Sequence, residues 1–483
     1  MTQPSAPGPQ HSVLSTHHSL LGTHHSSIGL FSATMLVVGN TIGVGIFTTS
    51  GVVAEQLPSP GLMLMVWTLG GVLALAGALA WAELGAAFPL AGGEYIYLRE
   101  AFGPFWGFLS GWAAFLASFS GSIAVLAIAL AEYVAGVFPF APTGGVLWTL
   151  HLFGFLHTVS FAQFLGILLV WAVSLLNYRG LHLGSLTQNL LSLSKLAAIA
   201  GLLVAGLGCG RGTWAHFSPA FPRNGGGSVA SAVGLALIPV MFTYSGWNAA
   251  AYITSEVRHP EKTLPCALAL GTLITIGVYL ALNVLYLYAT PVAVLSGVVR
   301  VGEQAAGALF GPGAASVVSA LIALSIASAF NVMILTGGRI YFAMARDAVF
   351  FSCAATVHPR FHTPGNALLL QAAWSSVLIL SGTFEQLLTY ATVVIVVVSA
   401  LTVSAVFVLR QRRPDLPRPY RVWGYPWLPA LYVLGSAGIF LNALWERPVE
   451  CLLGAGLCAA GVPAYWWWRC VRDVQAESTT GLR

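Results

Sequence analysis

The chain has 483 residues, of which 57% are hydrophobic and only 7% are charged. A soluble domain carries about 25% charged residues and could not bury this much apolar surface, so the composition excludes a soluble protein. The apolar stretches are continuous rather than short and alternating, which predicts transmembrane helices and excludes a transmembrane β-barrel. The net charge of +5 therefore concerns membrane topology and does not indicate nucleic-acid binding.

The N-terminal segment, residues 1–27, is polar and lacks the basic start and cleavage site of a signal peptide. We predict a disordered cytoplasmic tail here. The pairs His17-His18 and His24-His25 leave metal binding by this tail as an alternative. Elsewhere the six cysteines show no CxxC or other metal-ligand spacing, so neither a metal site nor a cofactor is predicted.

Twelve apolar stretches are long enough to cross a bilayer, which takes about 20 helical residues. Between the third and fourth of them, the tract 140–159 contains Pro142 and two histidines, and we interpret it as an extracellular loop that could hold a short interfacial helix. The predicted spans are 28–56, 61–87, 102–138, 160–177, 187–208, 229–257, 264–289, 313–346, 366–382, 385–411, 427–446 and 449–469.

The basic residues are concentrated on one side of this topology. With the N-terminus inside, fifteen of the 20 lysines and arginines fall in cytoplasmic segments, four fall in outer segments, and Lys195 lies within a span. The positive-inside rule then places both termini in the cytoplasm and requires an even number of spans. We therefore expect a multi-pass protein of the plasma membrane.

Two of the spans contain stretches that are poorly suited to a continuous helix. Residues 39–47 (GNTIGVGIF) hold three glycines, each of which costs a helix about 1 kcal/mol relative to alanine. Residues 242–248 (FTYSGWN), five spans later, place Gly246 among polar neighbours. Irregular backbone survives in a membrane only where it is buried in protein or lines a polar cavity, so we predict a break in each of these helices.

The spacing of the two breaks predicts an internal repeat. Because five spans is an odd number, the second unit enters the membrane from the opposite side, as in transporters that bind cargo where two broken helices meet. The predicted organisation is a tail at 1–27, a first repeat with helices 1–5 at 28–208, an inverted second repeat with helices 6–10 at 229–411, two further helices at 427–469, and a cytoplasmic tail at 470–483.

The chemistry of the breaks predicts a zwitterionic ligand. A broken helix exposes N–H groups, which attract an anion, at the start of one half and carbonyl groups at the end of the other. Gly43 and Gly45 would let a carboxylate approach the first break closely, while carbonyls and Asn248 at the second break suit an ammonium group. These features predict a site for an α-amino acid. The alternative is close helix packing through the small residues Gly39 and Gly43.

A family resemblance is carried by residues 38–47 (VGNTIGVGIF), 59–61 (SPG), 82–85 (AELG), 92–95 (GGEY), 242–248 followed by Glu256, Pro260 and 264–265 (LP), 336–339 (TGGR) and 345–347 (ARD). These motifs resemble the amino acid–polyamine–organocation superfamily of transporters, and within it the L-type amino acid transporter branch in its bacterial form, without a heavy chain. The resemblance covers residues 28 to about 415. It implies the all-α leucine-transporter fold, with 12 transmembrane helices, and alternating access to an amino acid site.

The resemblance also implies which residues bind the cargo. Phe242 would be an aromatic gate above it, and Asn248 would stabilise the unwound segment. Val44 departs from the family, which usually has a small polar residue there, so a hydroxyl is lost and the substrate preference is expected to shift. The backbone of Gly43, Val44 and Gly45 would bind the carboxylate, Ile42, Phe242 and Ser245 would surround the ammonium group, and Tyr244, Gly246 and Asn248 complete the predicted site.

Lys195 lies midway along the fifth span, where a lysine costs about 2.5–3.5 kcal/mol on insertion scales unless it faces protein or water. The resemblance places it at a sodium site of sodium-coupled members of the fold. Its ammonium group would replace the ion and link the first and eighth spans, which predicts sodium-independent transport. The alternative is a side chain that snorkels to the cytosolic surface.

We therefore expect a secondary transporter of neutral L-amino acids that works by exchange or facilitated diffusion, since no fixed acid is obvious at either break. A carrier of cationic amino acids or polyamines, with proton coupling as an option, is the near alternative. A membrane-embedded enzyme would need His, Asp or Ser clustered within the spans, and a channel would need a charged ring, and the sequence indicates neither.

The expected partners are the lipid bilayer and the amino acid cargo. Heavy-chain-linked members of the resembled group carry a cysteine between spans three and four, whereas residues 139–159 contain none, so we do not expect a disulfide-linked heavy chain. Among the other acids, Glu83 and Glu94 are expected to make contacts at an inner gate. Glu256 is expected to form a structural pair with Arg258.

Overall fold

The computed structural model describes residues 28–137, 146–152, 155–179, 181–220, 229–311, 313–381, 384–446 and 448–480. The predicted tail 1–27 lies outside the described residues, as do the last three residues of the predicted C-terminal tail. Up to Thr480, that second tail continues the last helix.

The described chain is mostly helical. A π-helical turn, Ala114–Ser118, joins α5 to α6, and short 3₁₀ helices cover Trp214–Phe217, Ala249–Glu256 and Ser352–Ala355. The α-helices in chain order are α1 Leu30–Thr41, α2 Gly45–Gln56, α3 Pro60–Ala87, α4 Glu94–Phe102, α5 Pro104–Ala113, α6 Phe119–Val137, α7 Phe161–Tyr178, α8 Leu181–Cys209, α9 Val229–Tyr244, α10 Pro260–Ala289, α11 Val292–Leu295, α12 Val301–Phe310, α13 Gly313–Arg346, α14 Gly365–Ser381, α15 Phe384–Arg412, α16 Trp427–Glu446, α17 Pro448–Ala459 and α18 Gly461–Thr480.

Nine helices in the described residues are long and apolar enough to cross a membrane, and the bent pair α1 and α2 raises this number to ten if it counts as one span. The predicted class, a helical integral membrane protein, is therefore confirmed. The two remaining predicted spans, 366–382 and 449–469, are not single helices of this length, for local reasons. Helix α14 has only 17 residues. The stretch 449–469 is divided at Ala460, just before Pro463, whose ring and missing N–H would break a continuous helix.

The tract between α6 and α7 corrects one expectation. Instead of an interfacial helix, the strands β1 (Val146–Leu152) and β2 (Phe155–Ser160) form an antiparallel pair. Strand pairing satisfies the backbone of this apolar, β-branched segment without a helix.

Helix α1 lies at the centre of the fold. Every residue from Ala33 to Thr41 is buried, and the helix packs against α8, α10 and α13. Helix α2 packs against α9, so the two predicted break regions are neighbours. A helix that is apolar all round must be enclosed by protein or lipid, and here protein encloses it.

Ion pairs clamp the ends of several helices together. Arg410 binds Glu83 through two bonds of 2.9 and 2.6 Å. Glu256 forms a structural ion pair, and its partner is Arg339 of α13, with 2.9 Å between Oε1 and Nε. The guanidinium fork of an arginine on a facing helix offers a carboxylate two parallel bonds.

Candidate functional site

The first break lies where the glycine pattern predicts it. Helix α1 ends at Thr41, α2 begins at Gly45, and the two helices differ in direction by 42°. The Gly43 N–H turns back to the Thr41 carbonyl, 2.9 Å away, instead of bonding the Gly39 carbonyl one turn earlier. The carbonyls of Gly39 and Ile42 consequently need partners from elsewhere.

Lys195 supplies those partners. Its side chain is only 1% exposed, and Nζ donates to the carbonyls of Gly39 and Ile42 at 2.9 and 2.6 Å. The Ser325 hydroxyl of α13 donates to the same Ile42 carbonyl at 3.2 Å. The ammonium group thus lies at the carbonyl end of α1, where the helix dipole favours a cation. This position excludes the snorkelling alternative, while the Ser325 hydroxyl joins the first helix to α13.

The second break follows α9. The helix ends at Tyr244, residues 245–248 form a turn, and a 3₁₀ helix begins at Ala249. Gly246 has φ +101, a conformation that side chains with a Cβ rarely adopt, and a Cβ there would lie 2.6 Å from Nδ2 of Asn40. The turn therefore requires glycine both for its backbone angle and for its close approach to α1.

The two breaks meet in the protein interior. Asn40 donates from Nδ2 to the Gly246 carbonyl at 3.2 Å. The buried Tyr279 hydroxyl of α10 lies 2.6 Å from the Thr41 carbonyl and 2.8 Å from the Thr243 carbonyl. A single side chain thereby bridges the last residues of both interrupted helices. The sequence did not single out Tyr279, although a phenol midway along an apolar span is a recognisable signal.

A cavity opens beside the second break. Ser245, Gly246 and Asn248, three of the predicted binding residues, line it together with Asn40. Apolar side chains, among them Phe119, complete the wall. A pocket that combines apolar walls with a few converging polar groups is the usual form of a small-molecule site.

The other predicted residues have different surroundings in the described part of the chain. Tyr244 is fully buried, and its hydroxyl donates to the Trp67 carbonyl at 3.1 Å, which is a packing role. A Cβ on Gly45 would lie 2.5 Å from Oγ1 of Thr243, so α2 and α9 are in close contact there. Six of the predicted binding residues are buried but do not line the cavity: Ile42, Gly43, Val44, Gly45, Phe242 and Tyr244.

An acid also lines the cavity. Glu94 begins α4 and is 4% exposed, and its buried Oε2 atom has no hydrogen-bond partner in the described part of the chain. Tyr252 lines the same cavity, and its hydroxyl accepts a hydrogen bond of 2.9 Å from Nδ2 of Asn248. Inspection of the breaks alone could not find Glu94, because it reaches the cavity from a segment between two other spans.

Apolar membrane-crossing helices, two of them interrupted where they meet beside a cavity with a few polar groups, are typical of membrane transporters with a small cargo. Residues 28–449 match the amino acid permease family, and the chain belongs to this family. It is accordingly a multi-pass membrane transport protein and not an enzyme.

Three curated relatives cover most of the chain. The serine/threonine exchanger SteT of Bacillus subtilis (strain 168) is 31% identical over 443 residues, which are 90% of this chain and 95% of that protein. The large neutral amino acids transporter small subunit 2 of Mus musculus is 32% identical over 447 residues, 90% of this chain and 80% of that protein. The Asc-type amino acid transporter 1 of Homo sapiens is 31% identical over 454 residues, 91% and 82% respectively.

Proposed function

We propose that this protein is a secondary transporter of neutral L-amino acids that exchanges them across the membrane by alternating access. The observation that carries the proposal is the contact between the two interrupted helices, where Asn40 and Tyr279 join them beside the cavity. The names of the three relatives, which are amino acid transporters or exchangers, support this choice of cargo.

In the proposed site, the first-turn amides of α2 bind the cargo carboxylate, because N–H groups at a helix start have no helical partner. Of the predicted set, Gly45 supplies a first-turn amide and Val44, directly before α2, supplies a second amide, while the Gly43 N–H is already bonded to Thr41. Ser245 and Asn248 bind the ammonium end from the second break. Phe242 is the proposed gate.

Lys195 is proposed as the fixed cation in place of a coupled sodium ion. The support is geometric, because its Nζ binds two carbonyls freed by the first break. Transport should then be unchanged when external sodium is replaced by choline. A strong loss of uptake in choline would contradict this role while leaving the amino acid proposal intact.

The finer architecture is part of the same proposal. We infer twelve transmembrane helices, an inverted repeat of 28–208 and 229–411, the added helices 427–469, and a leucine-transporter fold. Both termini lie in the cytoplasm of a plasma-membrane protein, and no disulfide-linked heavy chain is needed. Reconstitution of the purified chain alone tests the last point, since activity without a second subunit is the expected result.

The test of function is uptake by proteoliposomes of a panel of labelled amino acids. We expect labelled neutral amino acids to enter the vesicles. They should enter faster when the vesicles contain unlabelled neutral amino acid, because an exchanger returns to the outward-facing state with cargo bound. Uptake of cationic amino acids or polyamines only would overturn the proposal. Equal uptake with and without internal amino acid would replace exchange by facilitated diffusion.

A further inference from the structure

Glu94 occupies an unusual position for an acid in this protein. It follows the Gly92-Gly93 turn, lies between the apolar helices α3 and α5, and lines the cavity beside the second break. Its carboxyl group is buried, and Oε2 has no hydrogen-bond partner among the described residues. An unpaired buried polar atom costs about 1–3 kcal/mol, and an unpaired buried charge costs more. The described residues therefore leave this oxygen to be satisfied by a ligand.

Tyr252 lines the same cavity as this carboxyl and is bonded to a residue of the proposed cargo site. Asn248 donates from Nδ2 to the Tyr252 hydroxyl at 2.9 Å. The phenol oxygen thus already accepts a hydrogen bond, and its own O–H is a hydrogen-bonding neighbour of Glu94. Oε2 of Glu94 makes no hydrogen bond to the described residues and is left to hold a proton of its own.

No ion pair involves Glu94 in the part of the chain that the structure describes. The titratable groups close to it are three phenols: Tyr97 on its own helix, Tyr252 on the 3₁₀ helix and Tyr341 on α13. The charged side chains on the elements that pack around Glu94 have other partners. Three acids are held by arginines: Glu83 by Arg410, Glu256 by Arg339, and Asp347 by Arg99. Glu100 binds Arg99 and Arg413, Arg412 binds the Ala101 carbonyl, and Arg346 lies over Phe342.

We propose that Glu94 is a proton-binding site in the wall of the cargo cavity, and that the enclosed cavity requires its protonated form. The inference rests on the proposed exchange function and adds to it a second ligand, the proton. A neutral Glu94 also explains how a cavity that contains an acid can suit neutral cargo. Burial raises the pKa of the Glu94 carboxyl to about 7, against the lowering effect of its hydrogen bonds to Tyr252 and to its own backbone.

The sign of the pH effect follows from linkage. When the cavity opens to water, the pKa of Glu94 falls back towards 4.5, so the enclosed form binds the extra proton between about 4.5 and about 7. The enclosed form of the cavity is therefore most favoured at or below about pH 4.5. This preference weakens as the pH rises through this window and changes no further above it. Because exchange passes through the enclosed form, it should slow with rising pH.

The first test is the pH profile of neutral amino acid exchange in proteoliposomes with equal pH on both sides. We expect exchange by the unaltered protein to fall about fivefold or more between about pH 5 and about pH 7.5. Glu94→Gln, which mimics the neutral acid, should have a flat profile whatever its absolute rate. The matched control Glu132→Gln, on α6 and outside the cavity lining, should keep the slope. A flat profile for the unaltered protein, or an unchanged slope in Glu94→Gln, would overturn the proposal.

The second test reads the proton directly and needs no variant or transport. Dicyclohexylcarbodiimide modifies protonated carboxyls in apolar surroundings, and mass spectrometry of the peptide that contains Glu94 measures the extent. Labelling of Glu94 should fall at least about fivefold from pH 6 to pH 8, while Glu83, held by Arg410, stays unlabelled. Equal labelling at both values, or none at pH 6, refutes the proton site. Absence of amino acid exchange at every pH would instead refute the proposed function.

Discussion

The two breaks have different chemistry, although both interrupt a membrane helix at the same contact. At the first break, the protein itself satisfies the freed carbonyls, two of them through the ammonium group of Lys195. At the second break, Ser245 and Asn248 are left on the cavity wall. We infer that the first break is a fixed support and that the second carries the adaptable half of the proposed site. The variants below test this difference, beginning with the largest expected effect.

Removal of the fixed cation should have the largest effect. Lys195→Met leaves the Gly39 and Ile42 carbonyls without their donor, and unsatisfied buried carbonyls cost on the order of 2 kcal/mol. We expect transport to be lost and the melting temperature to fall. The matched control is Lys262→Met, because Lys262 is exposed. Normal exchange by Lys195→Met would show that the first break does not need this support.

The contact between α2 and α9 is tested at a single methyl group. In Gly45→Ala the new Cβ would lie 2.5 Å from the Thr243 hydroxyl, which forces the half-helices apart. We expect exchange to fall at least about tenfold, which corresponds to about 1.4 kcal/mol. Gly277→Ala is the control, because nothing lies within 4 Å of a Cβ at that position. Similar rates for both variants would mean that the contact tolerates expansion.

The bridge between the breaks depends on one hydroxyl. Tyr279→Phe keeps the ring and removes the group that lies near the Thr41 and Thr243 carbonyls, a loss of about 1 kcal/mol. A decrease in exchange of about fivefold is expected, with a slightly lower melting temperature. Tyr286→Phe on the same helix is the control, since that buried hydroxyl has no hydrogen-bond partner to lose. If both variants exchange amino acids at the same rate, the Tyr279 bridge does not contribute to transport.

The smallest effect is expected at the cavity wall of the second break. Asn248→Ala removes a side chain that lines the cavity and donates to Tyr252, so KM should rise about threefold while the maximal rate changes less. Asn366→Ala alters an exposed amide bonded to the Cys353 carbonyl and should leave KM unchanged. An unchanged KM in Asn248→Ala would remove this residue from the proposed site.

The sequence predicted the features that depend on local chemistry. Glycines at Gly43 and Gly246 mark the two breaks because their effect on a helix is local, and Lys195 is recognisable because a charge within a span needs a partner. Partners from distant segments could not be assigned in this way. Tyr279 and Glu94 reach the breaks through tertiary packing, and a phenol or an acid in an apolar chain is equally typical of an interface. The pairing of β1 and β2 was missed because Pro142 and two histidines favoured a loop, and strand pairing depends on contacts between two segments.

The most direct test of the account is an experimental structure of the protein with a neutral amino acid bound. We expect the carboxylate at the amides of Val44 and Gly45, the ammonium group beside Ser245 and Asn248, and both helices interrupted at these residues. An amino acid bound away from the two breaks, or continuous helices through residues 40–47 and 243–249, would contradict it.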